Sequence, residues 1–206
     1  CTRILTLGRQ GDYFSFLGLP RKLALDPSEI EQRFRALSRQ FHPDYFYNST
    51  PNERRASLER SSYLNDAYRT LKQPASRIAY LLEIEGVLKP SDHEAGKKVP
   101  ASLLEEVFAL NEELDEVRGL RDAGAPADAW RARLSAAAAP IERKRDEHER
   151  QLTELASRWD ALADGDAAGR TAVLEALRER VLERNYINNL LATIEREAAG
   201  RGGPQL

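Results

Sequence analysis

The chain is poor in the residues that build covalent or metal-bound frameworks. Its 206 residues include one cysteine, Cys1, and three histidines. A single thiol excludes an internal disulfide and a Cys-rich zinc site, and it suits a reducing compartment. An excess of one charge is missing too: 31 Lys and Arg face 33 Asp and Glu, a formal net charge of −2. That balance argues against a broad electrostatic commitment to nucleic acid or to anionic membranes, which calls for a large basic surplus. No apolar run approaches the roughly 20 residues that span a bilayer. Nothing before Asp12 has the charged start, apolar stretch and cleavage site of a secretory signal. The chain opens on Cys rather than Met, so a trimmed or processed start is expected, with a lipid-modified Cys1 as the alternative.

What is present is abundant, balanced charge. Charged residues make up 31% and hydrophobic residues 41%, a mixture that suits amphipathic helices with solvated outer faces. The length fits one domain or two small ones. After the apolar segment Tyr13-Phe14-Ser15-Phe16-Leu17, Gly18 and Pro20 break the chain. Asp26-Pro27-Ser28-Glu29 then supplies an N-cap, a proline at the first helical position and an acidic residue that can reach back to the cap. Ile30, Phe34, Leu37 and Phe41 come next at helical spacing, until Pro43 stops the helix. Thr50-Pro51-Asn52-Glu53 repeats the start signal and opens a helix through Leu64, Ala67, Tyr68 and Leu71. A shorter helix, Ile78 to Glu85, stops at Gly86.

Residues 87–98 have little apolar content and read as a linker. From Pro100 onward the pattern is helical. Leu103, Val107, Leu110, Leu114 and Val117 form one stripe, and Gly124-Ala125-Pro126 interrupts. A long amphipathic stretch carries Trp130, Leu134, Ile141, Leu152 and Trp159, with Pro140 expected to kink or locally break it. Asp164-Gly165-Asp166 makes a turn, and a last helix buries Leu177, Val181 and Leu191. The expected fold is all-α: a helical hairpin domain over 12–86, then an antiparallel three-helix bundle over 99–199. The tail from Gly200 reads as disordered.

Two places invite a functional reading. The first is the turn His42-Pro43-Asp44 between two long helices. Its simplest reading is a polar connection in which Pro43 ends one helix and Asp44 caps the next segment. Yet the preceding helix carries Arg33, Arg35 and Arg39, and Arg35 and Arg39, four apart, share a face away from the apolar stripe. An exposed turn beside a basic helix face suits docking on an acidic partner, with Asp44 engaging a partner cation. The second place lies on the helix after Pro100. At about 100° per residue, Leu104 and Phe108 fall outside the core stripe, on a flank shared with Glu105, Glu112, Asp115 and Glu116. Large apolar residues ringed by carboxylates suggest a partner site; a bundle that buries a wider arc is the equal alternative. On the last helix, Tyr186 points away from the buried face.

The residues Asp12-Tyr13-Phe14-Ser15-Phe16-Leu17-Gly18-Leu19-Pro20, the helix–His-Pro-Asp–helix order and Leu64-Asn65-Asp66-Ala67-Tyr68-Arg69-Thr70-Leu71 resemble a J-domain. Arg77-Ile78-Ala79-Tyr80-Leu81-Leu82 and Leu110-Asn111-Glu112-Glu113-Leu114-Asp115-Glu116 are similar to the HscB family, the J-type co-chaperones of iron–sulfur cluster biogenesis. The resemblance covers roughly residues 12–196. It implies that the 12–86 J-domain stimulates ATP hydrolysis by a DnaK-type chaperone, usually HscA, with His42, Pro43 and Asp44 essential and Arg33, Arg35 and Arg39 contacting the ATPase. It implies that the bundle binds the scaffold protein IscU through Leu104, Glu105, Phe108, Glu112, Glu116 and Tyr186. J-domains commonly carry Lys after the tripeptide; Tyr45 stands there in this chain.

The same resemblance implies a cytoplasmic protein, or a mitochondrial matrix protein in a eukaryote, with no cofactor and no metal. An enzyme is not expected. His42, His93 and His148 are scattered, and no nucleophile–base motif, phosphate loop or metal-ligand cluster appears. His148 falls on an apolar stripe and reads as a packed residue. Alternatives are a general J-protein with another client, a coiled-coil assembly partner, or a helical nucleic-acid binder using the arginine face.

Overall fold

The computed structural model describes residues 11–89, 92, 99–163 and 165–199. The expected all-α class is the one the chain adopts. The helices are α1 (Tyr13–Leu17), α2 (Pro27–Phe41), α3 (Pro51–Lys72), α4 (Pro74–Ile84), α5 (Leu104–Asp122), α6 (Ala127–Ala161) and α7 (Ala167–Ala198). Asp26 accepts the Ser28 N–H to start α2. Thr50 and Glu53 cap α3 reciprocally, satisfying N–H groups that would otherwise be orphaned. Gly18, at φ 66°, ends α1 in a left-handed conformation that side chains disfavour. Cys1, His93, Asp164 and the tail from Gly200 lie outside the described residues, as does most of the 87–98 segment. Within that segment Leu88 is buried, and the Asp92 carboxylate pairs with Arg178 at 2.6 Å.

The chain forms two compact units. One comprises the residues to Leu88 together with Ala156–Leu174; the other comprises Lys89–Leu155 and the residues from Glu175. In the first, α2 and α3 run antiparallel. The Phe34 and Tyr68 rings stack at 4.2 Å, and the Ser57 and Ser61 hydroxyls donate to the Phe41 carbonyl at 2.7 and 2.9 Å. Tyr13 of α1 stacks on Tyr80 of α4 and meets the Tyr63 ring edge-on. Phe14, Leu17, Ile30, Leu64, Leu71, Leu81 and Leu82 fill the core.

The expected division left Ala156–Leu174 with the C-terminal domain; the compact units place this segment with the N-terminal one. The reason is polar as well as apolar. The Asp160 carboxylate accepts the Leu23 and Ala24 N–H groups at 2.8 and 2.7 Å, and the Trp159 indole donates to the Arg21 carbonyl. Buried Arg77 completes the loop's partners, donating to the Leu71 and Leu23 carbonyls. Burial pushes the Arg77 pKa down, opposed by the Asp160 charge. Thus the loop that launches α2 has its backbone groups satisfied from two elements, which fixes the helix carrying the His-Pro-Asp turn.

In the second unit α5 and α6 run antiparallel, as the Glu106–Lys144 and Glu113–Arg133 pairs require. The α6 and α7 pairing is also antiparallel, with His148 opposite Glu183 and Glu149 opposite Arg184. The core joins Leu103, Val107, Leu110, Leu114 and Val117 of the α5 segment to Trp130, Leu134 and Ile141 of α6 and to Ile187, Leu190 and Ile194 of α7. Pro140 does not break α6, which is helical from Ala127 to Ala161. Its ring is solvent-exposed, so the lost hydrogen bond frees a carbonyl that water can reach. Leu134 and Ile141 hold both sides of it in one core.

Tyr186 corrects the sequence reading. It is buried within this core, with only 8% of its surface exposed. The extrapolation from Leu177 and Val181 fails because α7 changes its buried side. At about 100° per residue, buried Val173, Leu174, Leu177 and Val181 cluster on one side. Glu183, Tyr186, Ile187, Leu190 and Ile194, also buried, cluster roughly opposite. Tyr186→Ala is therefore expected to destabilise the bundle by about 3 kcal/mol through cavity formation, read as a lower thermal midpoint.

His148 is packed, as expected, but in a polar network. Its Nε2 lies 2.6 Å from Glu183 Oε2 and its Nδ1 lies 3.1 Å from the Lys144 carbonyl. Ser102 donates to Glu183 Oε1 at 2.6 Å, and Arg180 approaches Oε2 at 2.7 Å. Burial raises the Glu183 pKa, but the Ser102 and His148 hydrogen bonds and the Arg180 charge outweigh it, leaving the carboxyl below its ordinary value. A depressed folded pKa contributes stability that is present above the unfolded pKa and lost as pH falls through the folded one. Acid unfolding melts are expected to show this loss below the ordinary glutamate range. Glu183→Gln is expected to lower the melting midpoint at neutral pH and to flatten the acid limb.

Candidate functional site

The first candidate surface is the turn after α2. His42 terminates the helix with extended backbone (φ −58°, ψ 127°), as a residue before proline must. Pro43–Phe46 then form a single 3-10 turn. His42 Nδ1 accepts the Asp44 N–H at 3.4 Å and lies 3.5 Å from the Asp44 carboxylate. The Tyr45 N–H donates to the His42 carbonyl at 3.1 Å. These local bonds shape the turn while leaving its side chains outward: Asp44 is 85% exposed and His42 half-exposed. Behind it, Ser57 and Ser61 clamp the Phe41 carbonyl to α3. The turn is an exposed polar knuckle braced by these bonds, a form suited to docking rather than to holding a small molecule.

The three arginines are not equivalent. Arg35, Arg39 and His42 succeed one another at four- and three-residue spacing and share one side of α2, whereas Arg33 sits nearly half a turn round. Arg33 pairs with Glu29 at 3.5 Å and Arg35 with Glu31 at 2.5 Å. Arg39, exposed and nearest the turn, forms no ion pair among the described residues. Arg35, Arg39, His42 and Asp44 are thus brought together, and Arg33 is set apart from them.

The second candidate surface is the outer flank of α5. Leu104 is 43% exposed and Phe108 is 68% exposed, so the bundle does not bury the wider arc. Leu104, Phe108 and Glu112 succeed one another at four-residue spacing, and Glu105 and Glu116 lie on the same flank, all exposed. Glu105 and Glu112 form no ion pair among the described residues. Glu116 is held 3.2 Å from Arg133, which also grips Glu113. Arg133 depresses the Glu113 pKa chiefly by hydrogen bonding. Together with Gly119 and Leu120, these residues line an open groove beside the apolar pair. Of the residues expected here, Leu104, Glu105, Phe108, Glu112 and Glu116 come together; Tyr186 does not. Among the described residues, no group of three or more His, Cys, Asp and Glu is placed to hold a metal ion, and no helix is long and apolar enough to cross a membrane.

Sequence reasoning assigned no role to two other features. Tyr47 at the end of the turn and Leu58 on α3 are exposed, and single exposed apolar residues give no signal in a pattern. Arg133 was equally silent, since its pairing with α5 depends on helix register.

Comparison with known proteins places these surfaces in context. Residues 12–80 match the DnaJ domain family. Among solved structures, the chain is similar to chaperone HscB from Vibrio cholerae at 28% identity, with a TM-score of 0.65, over 92% of this chain and 99% of that one. It is also similar to the human co-chaperone protein HscB at 25% identity, with a TM-score of 0.64, over 93% of this chain and 84% of that one.

Proposed function

We propose, from the premise that the chain is a J-domain co-chaperone of the HscB family, that it delivers the scaffold protein IscU to a DnaK-type chaperone, usually HscA, in iron–sulfur cluster assembly. One observation carries the reading. Two exposed, chemically distinct surfaces lie in separate compact units: the polar His-Pro-Asp knuckle in one, and the Leu104–Phe108 flank in the other. The first suits a transient, charge-guided contact with an ATPase. The second has the apolar centre and polar rim of a protein interface.

The chain performs no catalysis in this scheme. Binding at the His42-Pro43-Asp44 turn favours the chaperone state that hydrolyses ATP, and a shift of that kind requires only that the turn bind one state better than the other. Leu104, Phe108 and the flanking Glu105, Glu112 and Glu116 hold the client meanwhile. Steady-state ATPase turnover of the chaperone tests this directly. Turnover is expected to rise on adding this protein and to rise further when IscU is present. No rise with either would refute the reading, and a rise indifferent to IscU would assign a different client.

The arginine geometry sharpens the expectation. Arg39→Ala is expected to raise the concentration for half-maximal stimulation about fivefold at low salt, an effect that shrinks at high salt because exposed charges are screened. Arg33→Ala, on the other side of α2 and paired to Glu29, is expected to leave that concentration nearly unchanged.

A further inference from the structure

The large apolar side chains left exposed are not scattered. Among the described residues they are Tyr45, Tyr47, Leu58, Val99, Leu104 and Phe108. The last three lie at the start of the α5 segment. Tyr45 and Tyr47 belong to the turn that His42 opens, and Leu58 lies on α3. Tyr45 directly follows Asp44, is 70% exposed, and holds its ring edge-on to His42 at 6.0 Å. Tyr47, 76% exposed, is tied back by its N–H to the Asp44 carbonyl. Leu58, 59% exposed, stands in the turn of α3 between Ser57 and Ser61, the two residues that bind the Phe41 carbonyl. It therefore lies at the level of the residue preceding His42.

Packing does not account for these three residues. The core of this unit is filled from the opposite sides of α2 and α3, and the Tyr45 and Tyr47 rings are largely in water. Exposed aromatic side chains carry a standing cost in hydration and are enriched at recognition sites. Their placement beside the knuckle makes one continuous strip: cationic at Arg35 and Arg39, polar at His42 and Asp44, apolar at Tyr45 and Tyr47. Where J-domains commonly carry a lysine, this chain offers a ring and a hydroxyl.

We infer that Tyr45 and Tyr47 form an apolar contact site for the partner chaperone that extends the His-Pro-Asp contact. The site takes an apolar strip on the DnaK-type ATPase and makes docking less dependent on salt than a lysine would. This rests on the docking role given above to the turn. Its occupant is the chaperone because the strip is continuous with that turn and shares its rigid backing on α3. Tyrosine suits the task, since it brings a large rigid contact area with few rotatable bonds.

Chaperone ATPase turnover, titrated with the full chain at low and high salt, tests it. The double variant Tyr45→Ser/Tyr47→Ser is expected to raise the half-maximal concentration about tenfold at both salts, the scale of an aromatic anchor, with the plateau unchanged. Tyr45→Phe should behave like wild type, and Tyr45→Lys should weaken binding mainly at high salt. All these side chains are exposed, and thermal melts of each variant establish that it folds. An unchanged half-maximal concentration in the double variant, while Asp44→Ala abolishes stimulation, overturns the aromatic site alone. No stimulation by the wild type overturns both the site and the docking role. Sedimentation showing a wild-type dimer that the double variant loses would reassign the strip to a second copy of the chain, and would also overturn it.

Discussion

Asp44→Ala is expected to abolish stimulation of the chaperone ATPase while leaving the protein folded. The two halves of that expectation have separate grounds. Asp44 is 85% exposed, and its carboxylate pairs with His42; its removal costs the fold little, because exposed pairs contribute about 0–1 kcal/mol. Its backbone N–H bond to His42 and the carbonyl clamp from Ser57 and Ser61 survive the change. The turn keeps its shape and loses its outward charge. If, as proposed, stimulation depends on differential binding to two chaperone states through Asp44, removing that group removes the effect rather than merely weakening it. Turnover should fall to the chaperone's basal rate even at saturating co-chaperone. His42→Gln is expected to act similarly, since it changes both the exposed ring and the acceptor that orients the Asp44 N–H. Matched circular dichroism melts separate this outcome from unfolding.

Phe108→Ala is expected to weaken IscU binding by about 30-fold, measured by isothermal titration, with no loss of thermal stability. A central aromatic anchor removed from an interface costs on the order of 2 kcal/mol, whereas a side chain that is 68% exposed contributes little to the fold. Leu104→Ala should have a smaller effect, as more of that side chain is already covered. Glu112→Gln should lose affinity chiefly at low salt, because its carboxylate is unpaired among the described residues and open to solvent. Glu116→Gln should matter less, its carboxylate being engaged by Arg133. The contrast with Tyr186→Ala is diagnostic: Phe108→Ala changes affinity without stability, whereas Tyr186→Ala changes stability.

Much of the architecture was legible in the sequence because it is local. Caps at Asp26 and Thr50, the stop at Pro43 and the stripe from Leu103 to Val117 depend on spacing within one helix, and they stand where that spacing puts them. That Leu104 and Phe108 leave the core stripe was legible for the same reason; that they stay exposed was not, since a wider buried arc fitted the spacing equally well. What escaped depends on two elements meeting. The α7 register could not be extrapolated through Glu183, because the helix buries one side up to Val181 and roughly the opposite side from Glu183 onward. The buried pairing of His148 with Glu183 spans 35 residues, and nothing within either helix marks Glu183 as a core residue. Pro140 predicts a break by its own chemistry, yet flanking core residues hold the helix together. Asp160 reads as a surface charge until the loop at Leu23 and Ala24 is seen to need its oxygens.

The defining property of a delivery adaptor is that both surfaces act on one chain. In the proposed scheme Asp44→Ala keeps the client flank and loses the outward charge of the turn, whereas Phe108→Ala keeps the turn and leaves the client largely unbound at concentrations that saturate the wild type. The decisive measurement is IscU-dependent chaperone ATPase turnover with the two variants mixed in equal amounts. A two-surface adaptor predicts that the mixture stays at the level of Phe108→Ala alone, with no IscU-dependent increment, because no single molecule carries both contacts. Recovery of the full wild-type increment by the mixture would contradict it.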